Sequence, residues 1–367
     1  MRRHLALAAV GGGESDLRGS KAAARLAAVS LLGLIVASAA LLLAYARVRG
    51  ELPPPSGRFA VVQRHISVSG AAGPLRLHVS HPAQATRGGF PLILFAPGWG
   101  GNADGIPLLL AELASHGYFV AAFDDIARDA RRETETESDF RDRSAPFDFS
   151  NDERYRKSML AGERRLAWEV ARARVVLEAV LDAGRRDEEP FRALDPARVG
   201  FVGFSFGGAV AVETARFDPR VRAAVNLDGS LFGSTARQGV KLPYLLISSS
   251  QNFPPSKDLL SPRDSVRINA EWSRADQAIH AQSLGKPGFR WFEVMRSRHM
   301  DLTDVLFDAE LRDALRLSWD GRLRIRRAVA QAVLDFLARY VKGELAPDAP
   351  HAIDATILRV VTRPGPP

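Results

Sequence analysis

Apolar residues along this chain fall into short runs separated by longer stretches of helical period. The runs at 59–68, 75–80, 91–96, 118–123, 199–204, 221–227, 243–248 and 290–295 read as strands. Between and after them, 106–116, 163–183, 207–217, 269–284 and 323–341 read as helices, the longer ones with a clear amphipathic period. The turn Gly70-Ala71-Ala72-Gly73 joins the first two strands. A run such as 91–96, apolar throughout, suits a strand buried on both faces, and helices alternating with such runs imply crossovers. The pattern therefore predicts an α/β fold with a mostly parallel central sheet and helices on both faces. No internal repeat interrupts it. Residues 128–154 stand apart as a charge-dense stretch containing Arg-Glu-Thr-Glu-Thr-Glu-Ser-Asp. Such a run is ordinarily a solvated loop, although a long insertion at this point can also flank an active site. The tail beyond 346 is proline-rich and expected to be peripheral.

One apolar run is of another kind. Residues 26–45 carry no charge, and twenty helical residues span roughly 30 Å, the thickness of a bilayer core. The length favours an uncleaved anchor, whereas Ala44-Tyr45-Ala46 fits the small-x-small pattern of a cleaved signal peptide. Basic residues at both ends, five before and two after, orient the N-terminus towards the cytoplasm and the bulk of the chain outside. Residues 51–58, with three consecutive prolines, form a stiff linker. The expected organisation is a cytoplasmic n-region with a membrane anchor or signal helix over 1–50, that linker, a catalytic domain over 59–345 and a tail over 346–367.

Composition then sharpens the picture. The chain has 367 residues, 46% hydrophobic and 25% charged, with no cysteine and a net charge of +8. The absence of cysteine excludes disulfides, thiolate metal sites and a cysteine nucleophile. The positive charge is local: residues 1–50 hold seven basic and two acidic side chains, leaving only +3 for the other 317 residues. A nearly neutral, interspersed surface is no phosphate-binding stripe, so nucleic acid is not an expected partner.

The chemistry centres on Gly203-Phe204-Ser205-Phe206-Gly207, set between an apolar strand and a helix. The string G-x-S-x-G is common by chance; the strand-to-helix context is what points to a serine held on a strained turn as a nucleophile. A tight turn with a structural serine is the plainer alternative. Acyl transfer also needs donors for a developing oxyanion, and the backbone N–H groups of Phe206 and of Trp99, in Pro97-Gly98-Trp99-Gly100-Gly101, are the candidates. For the base, His299 follows the last strand, where crossovers deliver loops to the same sheet edge as the serine. His280 lies in a helical stretch and reads as a surface or groove residue, and His351 lies in the tail. For the acid, Asp228 ends the strand after the serine helix and Asp258 is the fallback; a capping role is the plainer reading of Asp228. Asp301 and Asp304 stand too near His299 in the chain. Phe204, Leu231 and Phe232 are candidates for an apolar acyl pocket, although they are also ordinary core types. No metal-ligand spacing is evident.

These residues resemble the α/β-hydrolases, and among them the plasma-type platelet-activating-factor acetylhydrolases and their bacterial lipase-like relatives. The resemblance runs from about 75 to 337, through the 97–101 loop, Gly203–Gly208, Asn226–Gly233 and Arg298-His299-Met300. It implies the α/β-hydrolase fold, Ser205 as nucleophile, Asp228 as acid, His299 as base and Trp99 in the oxyanion hole. It also implies chemistry without a metal or other cofactor. Phe204 and Pro97 replace histidines common in the family, which bears on substrate choice. The expected activity is hydrolysis of carboxylic esters, with a small-molecule or lipid ester as substrate and the membrane as a partner through the N-terminal segment. A peptidase or amidase of the same fold, or a non-catalytic membrane-tethered binding protein, are the competing readings.

Overall fold

Residues 54–70, 73–84, 89–126, 136–304, 319–344 and 353–363 are described by a computed structural model. Among them a nine-stranded sheet runs in the order β1-β2-β4-β3-β5-β6-β7-β8-β9. The strands are β1 (Val61–Gly70), β2 (Gly73–Pro82), β3 (Phe90–Ala96), β4 (Phe119–Phe123), β5 (Leu194–Phe204), β6 (Val221–Leu227), β7 (Tyr244–Ser249), β8 (Phe289–Val294) and β9 (Leu358–Val360). β1 and β2 form an antiparallel hairpin, β2 pairs antiparallel with β4, and β4 through β8 are parallel. This is the α/β-hydrolase fold.

The helices are α1 (Pro107–Ser115), α2 (Glu137–Ser144), α3 (Asp152–Arg185), α4 (Phe206–Phe217), α5 (Gly233–Gln238), α6 (Ser256–Leu259), α7 (Asp264–Ala281) and α8 (Trp319–Leu337). They divide the sheet's surroundings into two cores. In β3, Leu92, Leu94 and Ala96 join one core with α3 and α4, while Ile93 and Phe95 join the other with α1 and α8. Successive strand side chains point to opposite faces, so a strand apolar at every position must have a helical layer on each side.

Two elements depart from the sequence reading. α3 begins at Asp152 rather than at 163, because the Asn151 side chain accepts from the Arg154 N–H (2.9 Å) and Asp152 and Glu153 fill the first turn. That is a helix start written in polar residues, which a search for apolar period passes over. The tail is not merely peripheral: β9 pairs antiparallel with β8, and Leu358 is buried beneath it. Glu293 and Arg359 face each other across that pairing and form an ion pair. Three residues are too few to show a strand period. The apolar segment 26–45 lies outside the described residues, among which no helix is long and apolar enough to cross a membrane.

Candidate active site

The parallel strands end along one edge, and the site is built there. β5 and β6 pair as far as Phe204 and Leu227, and the Ser205 N–H continues the ladder by donating to Leu227 O (2.7 Å). One strand further on, the Asp228 N–H donates to Ile247 O (2.8 Å). Ser205 and Asp228 are thus the first residues past two neighbouring strand ends. Both sit at positive φ, 54° and 61°. A non-glycine residue there is costly by about 1–3 kcal/mol and is held only by its surroundings. The surroundings are tight: a Cβ on Gly203 would lie 1.9 Å from Gly207 O, and one on Gly207 2.2 Å from Ala96 O. Only glycine at these two positions lets β5 turn directly into α4 with the serine at its apex.

His299 opens the short turn after β8 and meets both. Its Nδ1 lies 2.7 Å from Asp228 Oδ2 and its Nε2 2.9 Å from Ser205 Oγ. A carboxylate can only accept, so Nδ1–H donates to Asp228 and Nε2 is left to accept from the serine hydroxyl. The other Asp228 oxygen accepts from Ser249 N–H and Asn252 Nδ2 (2.8 Å), which holds the carboxylate in place. The imidazole stacks on the Phe204 ring at 4.7 Å, and the Arg298 N–H donates to Asp301 (2.7 Å), securing the loop. The Asp228 side chain is fully buried, whereas that of His299 is 34% exposed. The carboxylate is sealed and the imidazole can be reached.

A cavity of about 220 Å³ opens in front of Ser205 and His299. Trp99, Phe147, Phe149, Phe206, Phe232 and Trp272 form its aromatic wall, with Ser230, Gln251, Asn252, Asn269 and Ser273 as polar lining. Phe147 stacks on Trp272 at 4.9 Å with a 12° angle between rings. Trp99 packs edge-on against Phe206 and donates through Nε1 to Ala145 O (2.9 Å). Behind it, the guanidinium of Arg165 lies 4.1 Å from the indole centroid. Arg165 pairs with Asp125, and Glu169 accepts from the Ile126 N–H (2.8 Å); all three side chains are buried. Burial first, then the charge of Asp125, pushes the Glu169 carboxyl well above the usual carboxylate range.

Backbone donors are available at the same spot. Phe206 is the first residue of α4, whose opening N–H groups have no acceptor within the helix. A Cβ on Gly98 would lie 3.1 Å from the Ser205 Cβ, so the 97–101 loop runs beside the serine. A hydroxyl hydrogen-bonded to an imidazole, with helix-end donors beside it, is chemically equipped for nucleophilic attack on a carbonyl.

Of the three residues expected to form an acyl pocket, only Phe232 lines the cavity. Phe204 is buried beneath the imidazole and Leu231 is buried in the core, its N–H donating to Asp276 (3.1 Å). Phe204 ends β5 and Leu231 follows β6, and both side chains turn inward. Asp258 belongs to α6 and is not among the residues lining the cavity. Asp304 is a buried partner of Arg326 and accepts from the Leu108 N–H. His280 is no surface residue: it is buried against Tyr244, with Nδ1 3.2 Å from the phenol oxygen. His351 lies outside the described residues. The sequence reading missed Phe147, Phe149 and Trp272; the charge-dense run around 128–154 masked Phe147-Asp148-Phe149 within it.

Comparison with known proteins adds the following. Residues 77–283 match the profile of the Dienelactone hydrolase family. The chain is 27% identical over 180 residues to platelet-activating factor acetylhydrolase of Cavia porcellus, covering 44% of this chain and 40% of that protein. It is 28% identical over 188 residues to the Bos taurus protein of the same name, covering 46% and 41%. The chain thus spans about two fifths of the length of these curated relatives. A ferulic acid esterase from Streptomyces cinnamoneus superposes with a TM-score of 0.54 at 22% identity, covering 81% of this chain and 95% of that one. At that identity the likeness is one of fold.

Proposed function

The chain belongs to the Dienelactone hydrolase family, and from that premise we propose that it is a serine carboxylic ester hydrolase working through Ser205, His299 and Asp228. The observation that carries this reading is the hydrogen-bonded line from Asp228 through His299 to Ser205, ending at an open cavity. Ser205 Oγ attacks the ester carbonyl carbon while its proton passes to His299 Nε2. The oxyanion is held by the N–H groups of Phe206 and Trp99. Collapse breaks the carbon–oxygen bond of the ester, and the imidazolium returns the proton to the departing alcohol. Water then repeats the sequence on the acyl-enzyme, giving up a proton to Nε2 and releasing the acid and the free serine. Asp228 keeps the imidazole in the working tautomer and stabilises its cationic form.

The cavity is smaller than the roughly 300–1,000 Å³ of sites for drug-sized ligands, and its wall is aromatic. Both features suit a short acyl group, as does the acetylhydrolase name of the two relatives. Fluorophosphonate labelling of the wild type and of Ser205→Ala, with hydrolysis of p-nitrophenyl acetate through decanoate, tests the reading. Labelling confined to the wild type and turnover falling with acyl length are the expected results. Equal labelling of the variant would refute the serine mechanism.

A further inference from the structure

We propose that His65, His78 and Asp104 form a binding site for a divalent transition-metal ion of the zinc class. Three separate elements bring them together. His65 on β1 and His78 on β2 are direct partners in the hairpin register, so their side chains project from the same face. Asp104 comes from the 3₁₀ turn Ala103–Gly105 and reaches both. His78 Nδ1 lies 2.6 Å and His65 Nε2 3.0 Å from the same carboxylate oxygen, and all three ligand atoms lie within 4.8 Å of one another.

The chemistry of the trio selects the ligand. Among the described residues no lysine or arginine pairs with Asp104; its partners are the two imidazoles. Two neutral imidazole nitrogens and one carboxylate make an N₂O set, which suits zinc and its neighbours and is unlike the all-oxygen sets of calcium and magnesium. Ligand atoms around a tetrahedral zinc stand about 3.3 Å apart, given bonds of about 2.0–2.1 Å. The observed spacing therefore needs only small side-chain adjustments, the ion taking the place of the protons that now join imidazole to carboxylate. Access is open, since His65 and Asp104 are 42% and 47% exposed while His78 is nearly buried. A fourth position remains for water.

Occupancy would also have a mechanical consequence. The turn bearing Asp104 follows directly on the 97–101 loop, and its Gly105 carbonyl accepts from the Asp304 N–H (3.1 Å), beyond the His299 turn. An ion at this site staples the β1–β2 hairpin to that turn, so metal should raise the thermal midpoint of the whole domain.

The test is calorimetric titration of chelator-treated full-length protein with Zn²⁺, with thermal midpoints read in parallel. The wild type should bind one equivalent and melt at rising temperature as Zn²⁺ increases. His65→Gln and Asp104→Asn, both exposed and tolerant positions, should each lose at least tenfold in affinity together with the thermal shift. His78→Gln should behave alike if it folds, and His116→Gln, a half-buried histidine paired with Glu112 away from the trio, should bind as the wild type does. Unaltered affinity in His65→Gln and Asp104→Asn overturns the proposal. So does the absence of a saturable equivalent in the wild type, or a loss confined to His299→Ala, which would put the ion at the serine site.

Discussion

Asp228 and Asp125 are both buried carboxylates facing a nitrogen-bearing side chain, yet their settings differ in kind. Asp228 faces an imidazole, and the far side of that imidazole faces a hydroxyl and a cavity. Asp125 faces the guanidinium of Arg165, which does not give up its proton, and the cluster with Glu169 is closed to solvent. The first arrangement can move a proton; the second can only hold a position. What Arg165 holds is visible, because its guanidinium lies 4.1 Å from the Trp99 indole centroid and backs a residue that lines the cavity. The contrast teaches that a buried carboxylate–base pair becomes chemical through a base that titrates and through space in front of it.

The largest test of this contrast falls on Asp228. Asp228→Asn should lower kcat by about 10⁴-fold, on the order of 5 kcal/mol of transition-state stabilisation, by leaving the imidazole in the wrong tautomer. Asp258→Asn should stay within a few-fold of the wild type. Steady-state kinetics on one short acyl ester settles the ranking, and the reverse order would break the assignment of the acid.

Arg165→Met comes next and should act on stability first. It strands Asp125 in the core, and removing one partner of a buried pair costs about 3–5 kcal/mol. Urea unfolding followed by fluorescence measures the loss; an unchanged midpoint would show the pair to be dispensable.

The smallest effect belongs to Glu169. With its carboxyl held well above the usual range, the folded protein keeps a proton that the unfolded chain releases. Stability from this group is therefore full below the usual carboxylate range and falls as pH rises towards the raised value, by at most about 1.4 kcal/mol per pH unit. Glu169→Gln retains the acceptor for Ile126 N–H and should flatten that decline. Thermal midpoints from mildly acid to mildly alkaline buffer check it; parallel curves for wild type and variant would contradict the sign.

Much of the architecture was legible from local signals. Every parallel strand shows as an apolar run, and the strand–Ser205–helix transition shows because glycine at 203 and 207 is a local requirement of backbone approach. The placement of Asp228 next to Ser205 was legible because it follows the strand beside the serine strand, where the Asp228 N–H extends the sheet ladder. The start of α3 is written in the polar residues Asn151-Asp152-Glu153, which apolar period does not register.

Side-chain direction was another matter. Phe204, Leu231 and Phe232 are all large apolar residues at or just past strand ends, yet only Phe232 faces the cavity, because strand-end turns aim neighbouring side chains in different directions. Phe147 and Trp272 stack across more than a hundred residues of chain, and His65 and His78 meet Asp104 only after the hairpin closes. Local backbone preference and hydrophobic period act between near neighbours in the chain, so they are written in it and specify strands, helices and the serine turn. The joining of Ser205 to a histidine 94 residues away, the shape of the cavity and the gathering of the histidine pair are set by packing between elements, which exists only in the folded molecule.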